Sequence, residues 1–231
     1  MDLLGAVWEY IVAHSDRFGE ALQTHVTLSG FALVLALLLM LPLGIATSRW
    51  HRAGALVLNG VGVARVVPSI AVLLLLLPLL GTGFRPSLVA LTLLACPPIL
   101  INTDAGLRGL DPAILEAGRG MGFTGGRLLR DVQLPLAAPV ILTGVRTAAV
   151  EVIASASLAT LIGGGGLGQF VYSGLELNNN AILLAGALPI AGLALGTQAA
   201  LSMVQRGLET SGARRPSHAL QWVTGRTGER T

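Results

Sequence analysis

Three side chains carry charge inside otherwise apolar stretches: Arg65, Arg146 and Glu151. An ionised group at mid-membrane costs roughly 2.5–3.5 kcal/mol to insert unless it is paired or hydrated. Two readings stay open for these three, a structural pairing or snorkelling toward the inner surface, and a polar lining of a pathway. A second concentration of polar chemistry is the run Glu-Ala-Gly-Arg-Gly-Met-Gly at 116–122, followed nine residues later by Val-Gln-Leu-Pro at 132–135. A structured, arginine-bearing insert between apolar segments implies that something docks on it.

The remaining candidates for chemistry carry little. The glycine-rich run 163–168 has the look of a phosphate loop, but such a loop needs a Lys to reach the phosphates and the chain contains no Lys. It reads as a tight turn where backbone packs closely. His14, His25, His51 and His218 are scattered, with no metal-spaced pair and no neighbouring nucleophile. Cys96 is alone, so neither an intrachain disulfide nor a thiolate metal cluster can form, and it reads as a small buried residue. No catalytic residue, no metal site and no cofactor bound by this chain are expected.

The elements that carry these residues follow from composition. The chain has 231 residues, 53% hydrophobic and 12% charged, with a mean hydropathy of +0.73; soluble domains have about 25% charged residues. Residues 26–46, 86–103 and 177–205 carry no charge, 53–84 carry only Arg65, and 132–175 carry only Arg146 and Glu151. Crossing about 30 Å of hydrocarbon at about 1.5 Å per residue takes roughly 20 residues. The expected fold class is an all-α polytopic membrane protein with five spans, near 24–47, 54–80, 86–104, 136–161 and 181–205. The expected division is an outer segment 1–23, a membrane-embedded domain 24–206 containing a polar elbow at 108–135, and a flexible cytoplasmic tail 207–231. Asp2, Glu9, Asp16 and Glu20 precede the first apolar run, unlike the basic start of a cleavable signal.

Arginine sets the orientation. With the amino terminus outside, the inner segments hold eleven Arg and the outer segments only Arg17 and Arg85. This positive-inside bias puts 104–135 and the carboxyl-terminal tail in the cytoplasm. The net charge of +3 then reflects topology, and no aromatic-interleaved basic patch points to nucleic acid. On this topology Arg65 and Glu151 reach similar depth and are expected to face the bundle interior within reach of each other. Arg146 lies nearer the inner face, and five residues is a poor spacing for sharing a helix face with Glu151.

Within the elbow, Asp111 is placed to cap a helix over 112–121 that begins at Pro112 and stops near Gly122, which tolerates a left-handed conformation. Thr124 is placed to cap a second short helix carrying Arg127, Arg130 and Asp131. Leu134 and Pro135 then open the fourth span.

The spacing of this elbow resembles the EAA loop of bacterial ABC importer permeases: Glu-Ala-Ala, three residues, Gly, nine residues, Ile-x-Leu-Pro. Glu116, Ala117, Gly122, Leu134 and Pro135 match in register, while Gly118 stands for the second Ala and Val132 for Ile. Further segments, among them 67–71, 78–84, 144–148, 161–168 and 185–189, are similar to permeases of osmoprotectant importers, and the likeness covers roughly 20–206. The resemblance implies a translocation subunit for glycine betaine, choline or carnitine in a bacterial plasma membrane. It implies that the elbow is a coupling helix seated in a separate ATPase subunit, with Asp111, Glu116, Ala117, Gly118, Gly122, Leu134 and Pro135 as its coupling residues. Glu116 would contact the ATPase or hold the elbow's own fold. Implied partners are two ATPase subunits that carry ATP and Mg, a second permease copy or paralogue, and an extracytoplasmic binding protein. An amino-acid or methionine-type permease would share the loop spacing. A secondary transporter would need its own ion-coupling carboxylates, and only Glu151 lies within a span. Aromatics are 4% of the chain, and Trp8, Trp50 and Trp222 lie outside the spans, which disfavours a tight aromatic cage for a quaternary ammonium within the membrane.

Overall fold

The computed structural model describes residues 3–212. They form α1 (Leu3–Ala13), α2 (Ser15–Arg49), α3 (His51–Ala64), α4 (Ser69–Leu80), α5 (Phe84–Arg108), α6 (Pro112–Gly120), α7 (Gly125–Leu128), α8 (Leu134–Ala156), α9 (Gly168–Glu176) and α10 (Asn180–Gly212). A π turn, Leu129–Gln133, joins α7 to α8, and a 3-10 turn, Leu158–Ile162, follows α8. Four helical stretches are long and apolar enough to cross a bilayer: α2, α5, the continuous run Gly125–Ala156, and α10. A fifth crossing is available if α3 and α4, bent 97° to one another, form one broken span. The expected all-α architecture of about five spans is the one found.

The bounds differ from the sequence expectation in four places. The first span's helix begins at Ser15 rather than near 24, and its 35 residues extend about 52 Å, well beyond the hydrocarbon core. The second span is not one helix: Pro68 disfavours helical geometry at Val67, and α4 restarts on it at Ser69. The fourth span's helix begins at Gly125, inside the elbow, rather than at 136. Residues 207–212, expected to open a flexible tail, continue α10. The Arg-rich tail beyond 212 lies outside the described residues.

The core is built on α5, whose apolar stretch is 61% buried against 17% for that of α10. Fully buried Leu28 and Ala32 of α2, Leu91 and Ile99 of α5, and Ala148 and Val152 of α8 meet there. Small residues let the backbones approach, as membrane helices require when no hydrophobic force draws them together. Gly144 is one such point between α5 and α8: a Cβ there would sit 2.5 Å from the Pro98 carbonyl oxygen.

At the end of the bundle opposite the elbow, Tyr10 stacks on His14 at 4.4 Å, and Phe170 of α9 meets Tyr10 at 6.2 Å and Phe18 at 5.9 Å. The segment before the first apolar run is therefore helical and packed. The glycine-rich run forms the tight turn expected of it, with Gly163, Gly165 and Gly166 at positive φ and Thr160 donating its hydroxyl to the Gly165 carbonyl.

Candidate functional site

The elbow starts from an anchored base. Asp104, 4% exposed near the end of α5, accepts a 2.8 Å hydrogen bond from Arg108 Nε one turn later. The Arg108 guanidinium also donates to the Thr47 carbonyl, tying the corresponding end of α2 to α5. The i,i+4 Asp–Arg spacing was readable in the sequence; its tie to Thr47, 61 residues away, was not.

From this base the chain turns into α6. The Asp111 carboxylate accepts from Ala113 N at 2.9 Å, with Pro112 in the first turn. The other end closes as a Schellman motif. Gly122, at φ 82°, donates to the Arg119 carbonyl, and Phe123 N donates to the Gly118 carbonyl. The expected cap and stop are both in place. Thr124 does occupy the next N-cap position, but its side chain makes no capping bond. There α7 does not end as a separate helix; it runs through the π turn into α8. Pro135 accounts for that wide turn. It has no N–H to give the Asp131 carbonyl, and its ring crowds that carbonyl, while Leu134 N reaches back five residues to Leu129 O.

The named residues separate by direction. Glu116 and Ala117 are exposed, and the Glu116 side chain makes no hydrogen bond or ion pair with another described residue. Its carboxylate does not brace the elbow; it is presented outward. Gly118 is buried, because Leu128 of α7 packs onto it: a Cβ there would lie 2.5 Å from Leu128 Cδ1. Leu134 is half-buried and Pro135 exposed at the far side of the π turn. Behind α6 lies a cavity of about 790 Å³ bordered by Arg49, Arg108, Arg119, Phe123, Leu128 and Gln133. The elbow thus stands off the spans as a capped, rigid bracket whose outer face carries Glu116. Arg127 lies over the Phe123 ring at 4.7 Å and pairs with Asp131 at 3.4 Å, both exposed; such a surface pair contributes about 0–1 kcal/mol.

The intramembrane charges divide two ways. Arg65, at the break between α3 and α4, and Glu151, in the last third of α8, line one cavity of about 400 Å³ with Val72, Leu76, Leu94 and Pro97. They share a cavity but do not close into an ion pair. Arg146 is apart from them, its Nη1 donating to Ser202 Oγ of α10 at 3.0 Å. One turn away, Gln205 Nε2 donates to Thr143 Oγ1 at 3.2 Å, so α8 and α10 share a polar seam.

Sequence reasoning passed over His25. It is fully buried in α2, and its Nε2 lies 3.0 Å from the Ile153 carbonyl of α8. A lone His in an apolar stretch carries no spacing signal. Among the described residues no group of His, Cys, Asp and Glu is placed to hold a metal ion.

Residues 39–210 match the family described as binding-protein-dependent transport system inner membrane component. The chain is 39% identical over 191 residues to the choline transport system permease protein OpuBB of Bacillus subtilis, covering 83% of this chain and 88% of that one. It is 41% identical over 181 residues to the carnitine transport permease protein OpuCB of Listeria monocytogenes, covering 78% and 83%. It is 37% identical over 210 residues to the osmoprotectant import permease protein OsmW of Salmonella typhimurium, covering 89% and 98%. In fold it resembles a chain of the MetNI methionine ABC transporter, with a TM-score of 0.78 at 20% identity over 85% of this chain and 98% of that one. The matched residues include α5, α8, the broken second span and the whole elbow, and the chain is a multi-pass membrane permease that belongs to the binding-protein-dependent transport system inner membrane component family.

Proposed function

We propose that this permease carries small quaternary-ammonium osmoprotectants such as choline, glycine betaine or carnitine inward across a bacterial plasma membrane, driven by a separate ATPase. The substrate class rests on the printed functions of its relatives. The observation that carries the drive mechanism is the elbow: a capped helix held off the spans, with Glu116 unpartnered on its outer face. A rigid bracket suits the transmission of a push, because a flexible one would absorb it. Asp111 and Gly122 fix its two ends, Gly118 seats it on Leu128, and Leu134 and Pro135 lie where it passes into α8. ATP and Mg would then be held by two partner ATPase subunits. A second permease copy would complete the pathway, an external binding protein would deliver substrate, and the amino terminus would lie outside with α6 in the cytoplasm.

The test is uptake by the permease expressed with its ATPase and binding protein in cells lacking other osmoprotectant importers. Uptake of at least one quaternary ammonium compound is expected, and Glu116→Lys should abolish it while leaving membrane insertion intact. Import of methionine or another amino acid without quaternary ammonium uptake would overturn the substrate class. Full uptake by Glu116→Lys would overturn the elbow's role.

A further inference from the structure

The cavity between α3–α4, α5 and α8 holds two opposite charges that have not closed on each other. Arg65, exposed at the helix break, and Glu151, half-buried in the last third of α8, both border it, and neither side chain makes a hydrogen bond or ion pair with a described residue. Glu151 is the more sheltered of the two, and the exposed Arg65 at the cavity's edge leaves its guanidinium free to meet an incoming anion. The rest of the lining is apolar, including Val72, Leu75, Leu76 and Leu94, so nothing else there answers either charge. A space of about 400 Å³ is within the usual size of a small-molecule site.

The geometry points to this cavity as a transit site for a small zwitterion, with the carboxylate of the ligand on Arg65 and its quaternary ammonium facing Glu151. The chemistry at each end is specific. A guanidinium fork binds a carboxylate through two parallel hydrogen bonds, which an ammonium cannot reproduce. At the other end a quaternary ammonium has no N–H to donate. It needs only a nearby anion and apolar surface for its methyl groups, which Glu151 and the leucines supply. No aromatic side chain borders the cavity. The site is therefore weaker than an aromatic cage, as suits a station from which the ligand must leave.

This inference rests on the quaternary-ammonium reading and adds a division of labour. A zwitterion such as carnitine or glycine betaine uses both charges, whereas choline has no carboxylate and can use only Glu151. Arg65 then separates zwitterions from simple cations.

The experiment measures concentration-dependent uptake of carnitine and choline by the complete transporter in reconstituted vesicles, with ATP hydrolysis recorded as a check on assembly. Arg65→Gln is expected to lower carnitine uptake relative to choline by roughly 10- to 100-fold, the ratio for losing a charge-assisted hydrogen-bonded pair. Arg65→Lys keeps the charge, and so guards against loss of folding. It should raise KM for carnitine and leave that for choline in place. Glu151→Gln should weaken both. Equal loss of carnitine and choline uptake in the Arg65 variants would overturn the site and leave Arg65 a structural charge. If the unaltered transporter moves neither compound, the quaternary-ammonium reading fails and this one falls with it; an unselective loss in a working transporter sinks this one alone.

Discussion

Gly118 shows how one atom sets the geometry of the elbow. Its missing Cβ is the space that Leu128 fills, and the two are on different arms of the turn. Gly118→Ala should be nearly neutral, since the clash is with the far end of a flexible side chain and Ala gains about 1 kcal/mol of helix propensity. Gly118→Leu should pry the arms apart, and limited proteolysis of membranes should then cleave within 118–128 faster than in the unaltered chain. At Gly122 no neighbouring atom lies within 4 Å of an added Cβ, so only the positive φ resists substitution. Gly122→Ala should therefore loosen the elbow by about 1–2 kcal/mol without disturbing the spans, seen as weaker retention of the ATPase on purification and unchanged membrane insertion. Asp111 and Gly122 were legible in the sequence because caps and left-handed stops act within a few residues. The seat on Leu128 was not, because nothing in the local pattern says which side chain fills a glycine ten positions away.

At the scale of elements, the contact between α5 and α8 has no room for a side chain at Gly144. Gly144→Leu would force a side chain onto the Pro98 carbonyl and Asn102, and a backbone atom cannot step aside. The protein should insert but melt at lower temperature in detergent, with uptake lost in proportion. The base of the elbow makes a separate prediction. Asp104→Ala leaves Arg108 facing the end of α2 without its carboxylate, which should cost about 1–3 kcal/mol; adding Arg108→Ala should recover part of that stability. Strictly additive losses in a thermal-shift assay would show that the two residues act independently. Long spans were readable from charge-free runs, since burial in lipid demands about 20 apolar residues whatever the neighbours. The helix break at 65–68 and the π turn at 129–133 were not placed, although each has a proline beside it. A proline announces that a backbone bond is missing, and the surrounding packing decides whether the helix kinks, widens or stops.

For the molecule as a whole, the expectation that remains to be measured is orientation. Single cysteines placed in a Cys96→Ala background should react with an impermeant reagent from outside at Tyr172 of α9 and from inside at Arg127 of the elbow. External labelling at Arg127 would reverse the topology. The wide apolar faces of α2 and α10, with Leu38, Leu195 and Met203 about two-thirds exposed, are surfaces for lipid or a second copy, and sequence hydropathy cannot tell those two apart.

The burial of α5 also bears on how the protein is made. Its partners enter the membrane at different times: α2 is already present when α5 emerges, whereas α8 is synthesised only after the elbow. Until then the groove that receives Gly144, with its proline-interrupted backbone and the Asn102 amide, faces lipid or an insertion factor. A chain stopped after residue 133 would remain in that state, and the prediction is that membrane quality control removes it far faster than the full-length permease in a pulse-chase experiment. The helix that most depends on its neighbours is thus the one that must wait for them.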